Sequence, residues 1–332
     1  FHDCRKMGDQ TFIDHVHAQD LDIAVDLKGF TGRTRSRIFG TRLAPLQVSY
    51  LGYPGTLGSP EFDYVVTDPV VSPVGSEHHF DECLLRLPHC YQPNDDRRRI
   101  ATRQFTRQNC GLPQDGFVFA CFNNTYKITP KEFDIWMPLL SDVDGSVLWL
   151  LGAGPTPEAN LRHEAAKRGV DPNRLIFADR ITPDEHLARQ RVADIFLDTF
   201  NYNAHTTGSD ALWAGLPLVT LPGRQFSARV GASLLTAFGL PELIAETPED
   251  YREIALKLAQ DETALLSLRS RLAFLRDKAP LFDTQRYTRD LERGFDMIHD
   301  RYRSGRGAAH TAVPATSTPS PSVTLETKLA SS

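Results

Sequence analysis

The sequence predicts an α/β protein built as two Rossmann-like halves, and three observations carry that expectation. Short apolar runs alternate with stretches of helical period through most of the 332 residues, the pattern of parallel sheets joined by crossover helices. A polar, proline-containing break at residues 88–114, with Asn94-Asp95-Asp96 and three arginines, divides the runs into two series. The length suits two domains of ordinary size.

Taken in order, the first strand is Ile23-Ala24-Val25-Asp26-Leu27, closed by Gly29 and a polar turn. Gln47 to Leu51 and Tyr64 to Thr67 supply further short strands of the first half. The second half opens on the apolar run Phe117 to Cys121, after which Thr129 caps a helix that has Pro130 at its first position. Ser146 to Leu151 is a second buried strand, followed by a helix from about Glu158 to Arg168 that stops at Gly169. Leu175 to Phe177 (strand), Pro183 to Arg191 (helix), Ile195 to Leu197 (strand), Thr207 to Ala214 (helix) and Pro217 to Thr220 (strand) complete a doubly wound pattern. In such sheets ligands bind outside the carboxyl ends of the strands. The chain turns helical from Pro248, and a further helix covers Thr284 to Tyr302. Residues 304–332 hold Gly, Ala, Ser, Thr and Pro with few large apolar side chains, so a disordered tail is expected.

Composition narrows the function classes. A formal charge of -5 offers no global cationic excess to displace counterions from nucleic acid, and Arg97, Arg98 and Arg99 read as a solvated loop. No apolar run approaches the roughly 20 residues of a membrane helix. The five cysteines, Cys4, Cys83, Cys90, Cys110 and Cys121, form no CxxC pair, which suits a reducing, cytoplasmic compartment without structural disulfides. The chain starts at Phe1 with no charged-then-apolar leader, as expected of a fragment whose N-terminus lies upstream. Neither His15 with His17, nor His78 with His79, nor Asp142-Val143-Asp144 has the ligand spacing of a metal site.

Four segments can carry chemistry. Asp198 to Asp210 leaves a buried strand and enters a helix through His205-Thr206-Thr207-Gly208. Free amides and the positive end of the helix dipole bind anions there, and Asp210, a turn further in, can accept from a hydroxyl pair such as a ribose. An ordinary N-cap explains the same residues. Phe122-Asn123-Asn124-Thr125-Tyr126-Lys127-Ile128 also follows a strand, so Lys127 can neutralise a leaving diphosphate and Asn124 can hydrogen-bond it; a surface lysine in a βα loop is the plainer account. His186 and Arg189 share a helix face and can pack on a flat base, or simply face solvent. Leu51 to Gly58, with three glycines and a proline, lets backbone approach a ligand closely, as a tight turn also would.

Together these motifs resemble the O-GlcNAc transferase/SPINDLY family. The resemblance rests on Arg42-Leu43-Ala44-Pro45-Leu46-Gln47-Val48, Leu51-Gly52-Tyr53-Pro54-Gly55-Thr56, Phe122 to Ile128, and Asn203 to Gly208 followed by Asp210-Ala211-Leu212-Trp213-Ala214-Gly215. It runs in order from about residue 10 to 300. It implies a GT-B fold of two Rossmann-like domains with the active site between them. The implied layout is a truncated acceptor-side domain at 1–110 with an exposed sheet edge, a nucleotide-sugar domain at 111–283, a helix at 284–303 crossing back, and the tail at 304–332. The implied reaction is inverting, metal-independent transfer of N-acetylglucosamine from UDP-GlcNAc to Ser or Thr hydroxyls of acceptor proteins, with no cofactor. Relatives using GDP-fucose or UDP-glucose, and a non-catalytic nucleotide-sugar-binding module, are the alternatives. By motif, Lys127 is the essential diphosphate-contacting lysine and Asn124 stands where a glutamine often does. His205, Thr206 and Thr207 hold the diphosphate, Asp210 the ribose, His186 with Arg189 the uridine, and Gly55 lies against the sugar. The family's acceptor-gripping tetratricopeptide repeats precede the catalytic region; no repeat of 20 to 50 residues occurs within this chain.

Overall fold

The computed structural model describes residues 1–315. After helix α1 (Asp9–His17), strands β1 (Ile23–Asp26), β2 (Leu46–Ser49), β3 (Tyr64–Thr67) and β4 (Cys83–Arg86) pair in parallel in that order. β2 and β3 are buried at every position while β1 alternates, as expected when both faces of the inner strands are covered and β1 forms the edge. β4 went unread because Arg86 follows its apolar residues and looks solvent-bound. It is buried instead: its Nε donates to the Ser72 carbonyl at 2.8 Å and its guanidinium pairs with Glu77.

The second sheet collects β5 (Val118–Cys121), β6 (Val147–Leu151), β7 (Leu175–Ala178), β8 (Ile195–Leu197) and β9 (Leu218–Val219), all parallel, in the order β7-β6-β5-β8-β9. Its helices are α2 (Pro130–Asp142), α3 (Pro155–Lys167), α4 (Pro183–Arg189), α5 (Thr206–Ala214), α6 (Val230–Phe238), α7 (Pro248–Gln260) and α8 (Glu262–Arg276). α2 starts as the sequence suggests: a Thr129–Glu132 capping box closes its first turn behind Pro130. α6 is apolar on nearly all sides because it is buried on nearly all sides, which removes the periodicity by which a helix is recognised.

The chain then returns to the first sheet. Helix α9 (Thr284–Arg303) lays Tyr287, Leu291, Phe295 and Ile298 against Leu46, Val48, Tyr64 and Leu85. Past α9 the structure corrects the expectation of a disordered tail from residue 304. β10 (Thr311–Ala312) adds to the open edge of β4, the His310 Nδ1 accepts from the Leu84 amide at 3.0 Å, and Val313 is 4% exposed. Residues 316–332 of the expected tail lie outside the described residues. The two sheets are joined by polar contacts: buried Asp68, after β3, accepts from the Ser233 hydroxyl of α6 at 2.7 Å, and half-buried Arg229 donates to the Val70 carbonyl at 2.7 Å. No helix among the described residues is long and apolar enough to cross a membrane.

Candidate active site

In the second sheet the order reverses between β5 and β8, which are neighbours. The connections from these two strands run to opposite sides, so a crevice opens at their carboxyl ends. Lys127 follows β5 and the His205-Thr206-Thr207 turn follows β8, which brings two of the sequence motifs to one place.

The Lys127 side chain is held from both sides. Its Nζ donates to the Asn203 carbonyl at 2.9 Å and lies 4.0 Å from the centre of the Tyr202 ring, a cation–π contact. Burial lowers its pKa to about 8, with the Asp198 carboxylate working against that shift. The ammonium therefore keeps its charge near neutral pH while carrying little water, the condition in which a fixed charge acts most strongly on a ligand.

The turn into α5 is fixed by residues whose importance the sequence reading missed. Asn123 is fully buried, its amide nitrogen donates to Thr199 Oγ1 at 2.8 Å and to Asp198 Oδ1 at 3.2 Å, and its oxygen accepts from the Thr207 hydroxyl. Asp198 also accepts from the Ala204 amide at 2.6 Å and the Thr220 hydroxyl at 2.7 Å, and burial pushes its pKa up to about 6. A Cβ on Gly231 would sit 2.4 Å from this carboxylate, so α6 closes against it only through a glycine. This network clamps the β5 and β8 loops together and presents the start of α5, with Thr206 and Thr207, to the crevice. His205 caps the turn. Burial foremost, and then Lys127, push its pKa down to about 3. Its neutral ring donates from Nε2 to the Ser227 carbonyl at 3.3 Å and stacks on Tyr202 at 4.7 Å. It supplies shape and polarity to the turn, and the charge comes from Lys127.

The crevice encloses a cavity of about 690 Å³ whose walls include Asn124, Lys127, His205, Thr206 and Thr207, with Leu51 and Gly52 facing them from the first sheet. That volume suits a nucleotide-sized ligand. Leu51 has φ of 69°, a left-handed conformation costly for a branched side chain. A Cβ on Gly52 would meet the Leu27 carbonyl at 2.4 Å. The loop is thus pressed onto the β1 turn by a residue that only glycine can provide. Gly55 does not reach this cavity; it lines an adjoining one of about 510 Å³, and Tyr202 is common to both.

The remaining sequence candidates are held by other groups of the protein. Asp210 is ion-paired through Oδ1 to Arg98, whose guanidinium lines the cavity. Burial raises the Asp210 pKa and Arg98 opposes the rise. Of the three arginines read as a solvated loop, Arg97 and Arg99 are exposed, but Arg98 turns inward. Arg189 is buried, its Nε donating to His186 Nδ1 at 3.0 Å and Nη1 to the Asp179 carbonyl at 2.7 Å. His186 packs edge-on against Phe122 at 4.8 Å, and burial, with Arg189 and Arg98, lowers its pKa to about 4. Neither is part of the 690 Å³ cavity's wall. Paired asparagines after an apolar strand were the available signal for Asn123; nothing local to the sequence marks Arg98.

Comparison with known proteins adds to this geometry. The model of glycosyl transferase family 41 matches residues 4–105 and 98–291. A probable UDP-N-acetylglucosamine–peptide N-acetylglucosaminyltransferase of Arabidopsis thaliana, SEC, is 39% identical over 319 residues, covering 94% of this chain and 33% of that protein. A mutant of the O-GlcNAc transferase of Thermobaculum terrenum superposes with a TM-score of 0.80 at 31% identity, over 91% of this chain and 57% of the other. WaaG, a glycosyltransferase of lipopolysaccharide biosynthesis, shares the fold, with a TM-score of 0.52 at 14% identity over 85% of this chain and 94% of its own. The chain spans about a third of the length of the curated relatives it matches.

Proposed function

This chain belongs to glycosyl transferase family 41 and has the GT-B architecture, and from that membership we propose that it holds the donor centre of a protein glycosyltransferase. The reaction is inverting, metal-independent transfer of N-acetylglucosamine from UDP-GlcNAc to Ser or Thr hydroxyls of proteins. The observation that carries this reading is the convergence of Lys127 with the Thr206-Thr207 start of α5 on one cavity at the sheet's switch point. The names of the relatives, which specify UDP-N-acetylglucosamine and peptide, support the donor and acceptor classes.

In this reading the acceptor hydroxyl oxygen bonds to the anomeric carbon as the bond from that carbon to the diphosphate breaks, and the hydroxyl proton leaves to a base. Negative charge builds on the departing diphosphate. Lys127 and the amides at the start of α5 face that charge from fixed positions, and preorganised donors of this kind commonly account for about 10² to 10³ in rate each. The Thr206 hydroxyl adds a donor, Thr207 offers its amide while its hydroxyl is given to Asn123, Asn124 adds an amide at the cavity rim, Asp210 takes the ribose, His186 positioned by Arg189 takes the base, and Gly55 borders the sugar and acceptor side. A cytoplasmic location accompanies the proposal, since all five cysteines are free thiols; neither nucleic acid nor membrane is a partner in this reading.

Calorimetric titration with UDP-GlcNAc, UDP-glucose and GDP-fucose, followed by UDP release with and without an acceptor protein, tests it. UDP-GlcNAc should bind tightest, and acceptor protein should accelerate UDP release. Tighter binding of either other donor would reassign the sugar, and binding without transfer would leave a nucleotide-sugar-binding module.

A further inference from the structure

We propose that Arg98 is a positioning residue of the donor site: it holds Asp210 by one carboxylate oxygen so that the other is directed to the ribose hydroxyls of a bound nucleoside diphosphate. This deepens the proposed function and rests on it.

The segment between the two sheets delivers Arg98 with unusual care. Upstream, Gln92 and Asn94 are buried, the Gln92 amide donating to Ser209 Oγ at 3.2 Å and the Asn94 amide to the Leu281 carbonyl at 3.3 Å. Helix α5 then holds Arg98 twice. Trp213 Nε1 donates to the Arg98 carbonyl at 3.1 Å, and Asp210, one turn earlier on the same helix, takes its guanidinium at Oδ1. A surface arginine needs neither contact, and Arg97 and Arg99 on either side have neither the burial nor a place in the cavity wall.

The placement follows from charge. Asp210 is 9% exposed, so its carboxylate needs a partner to stay ionised. Arg98 is that partner, and its planar fork fixes where the carboxylate points. The same guanidinium lies near enough to His186 to disfavour a proton there, so it stands between α4 and α5 at the wall of the cavity that also holds Lys127. Arg98 Nη1 engages Oδ1 alone, which leaves Oδ2 as the acceptor for a hydroxyl. A site built to pair a hydroxyl discriminates strongly against an analogue that lacks it. The arrangement therefore makes the ribose hydroxyls, more than the diphosphate, the part of the donor that Arg98 governs.

The test uses the whole chain with UDP and 2′,3′-dideoxy-UDP as calorimetric probes, on the unsubstituted protein and on Arg98→Met, Arg98→Lys and Asp210→Asn. The unsubstituted protein should bind UDP at least about tenfold more tightly than the dideoxy analogue. Arg98→Met should weaken UDP about tenfold while leaving the analogue within about twofold, so that discrimination disappears, and Asp210→Asn should do the same. The double variant should be no worse than either single one, and Arg98→Lys should recover part of the discrimination. Equal loss for both probes in Arg98→Met would assign Arg98 to the diphosphate or to folding and overturn the inference, as would no loss at all. If Arg98→Met does not fold, Arg98→Lys carries the same comparison, with undiminished discrimination as the refuting result. Failure of the unsubstituted protein to bind UDP overturns the donor-site reading, and this inference with it.

Discussion

Replacing Lys127 by alanine removes the cation that the structure aims into the cavity, and its cost can be worked through. A unit charge about 4 Å from a developing oxyanion, at the effective dielectric of about 20 that suits half-buried sites, interacts by about 4 kcal/mol. At about 1.4 kcal/mol per factor of ten, that is a loss of about 10³ in turnover. The folded state loses much less. Nζ gives up one hydrogen bond to the Asn203 carbonyl and the contact with the Tyr202 ring, about 1 to 2 kcal/mol together. Burial disfavours the ammonium here, so part of that loss is returned when the charge is deleted. The expected result is therefore a melting temperature within a few degrees of the unsubstituted protein, with UDP release in the presence of acceptor reduced about 10³-fold. The loss should fall mainly on kcat, because the charge on the diphosphate grows towards the transition state. Initial-rate UDP release at saturating donor, beside a thermal melt, measures both. A kcat within threefold of the unsubstituted protein, with the fold intact, would refute the role given to Lys127.

Two further outcomes follow from the same contacts. Because burial lowers the Lys127 pKa to about 8, its charge is lost as pH rises through that value, so kcat/KM should fall on the basic side with a midpoint near pH 8; Lys127→Arg should abolish that limb, and its persistence in the arginine variant would assign it to another group. Val313→Ala removes two methyl groups from a site between α9 and the β4 edge, which should cost about 2 kcal/mol in urea denaturation; an unchanged midpoint would mean that β10 does not stabilise the first domain.

The strands of both sheets were readable in outline because parallel strands buried on both faces must be apolar throughout, as in Val118–Cys121 and Tyr64–Thr67. The loops that follow β5 and β8 were readable because their chemistry is local: a lysine behind two asparagines, and small hydroxyl residues opening a helix. β4 and β10 were not. Arg86 sits among the apolar residues of the one, and the other is two residues long in a segment of small and polar side chains. Only the vacant edge of β4 makes residues 311–312 a strand, and a pairing partner so distant in the chain leaves no local trace.

The candidate site divides along the same line. By itself the sequence determined which groups come to the carboxyl ends of the strands, since a strand, its loop and the next helix are contiguous in the chain. Tertiary structure alone decided what those groups meet. Asn123 reaches Thr207 across 84 residues and Arg98 reaches Asp210 across 112. Through those contacts Asp210, expected as an acceptor for a hydroxyl pair, became one member of an ion pair, and Arg98, expected in solvent, became part of the cavity wall. The physical reason is that a buried charge must find a partner wherever the fold brings one within reach, and proximity of that kind is a property of packing and not of the order of residues.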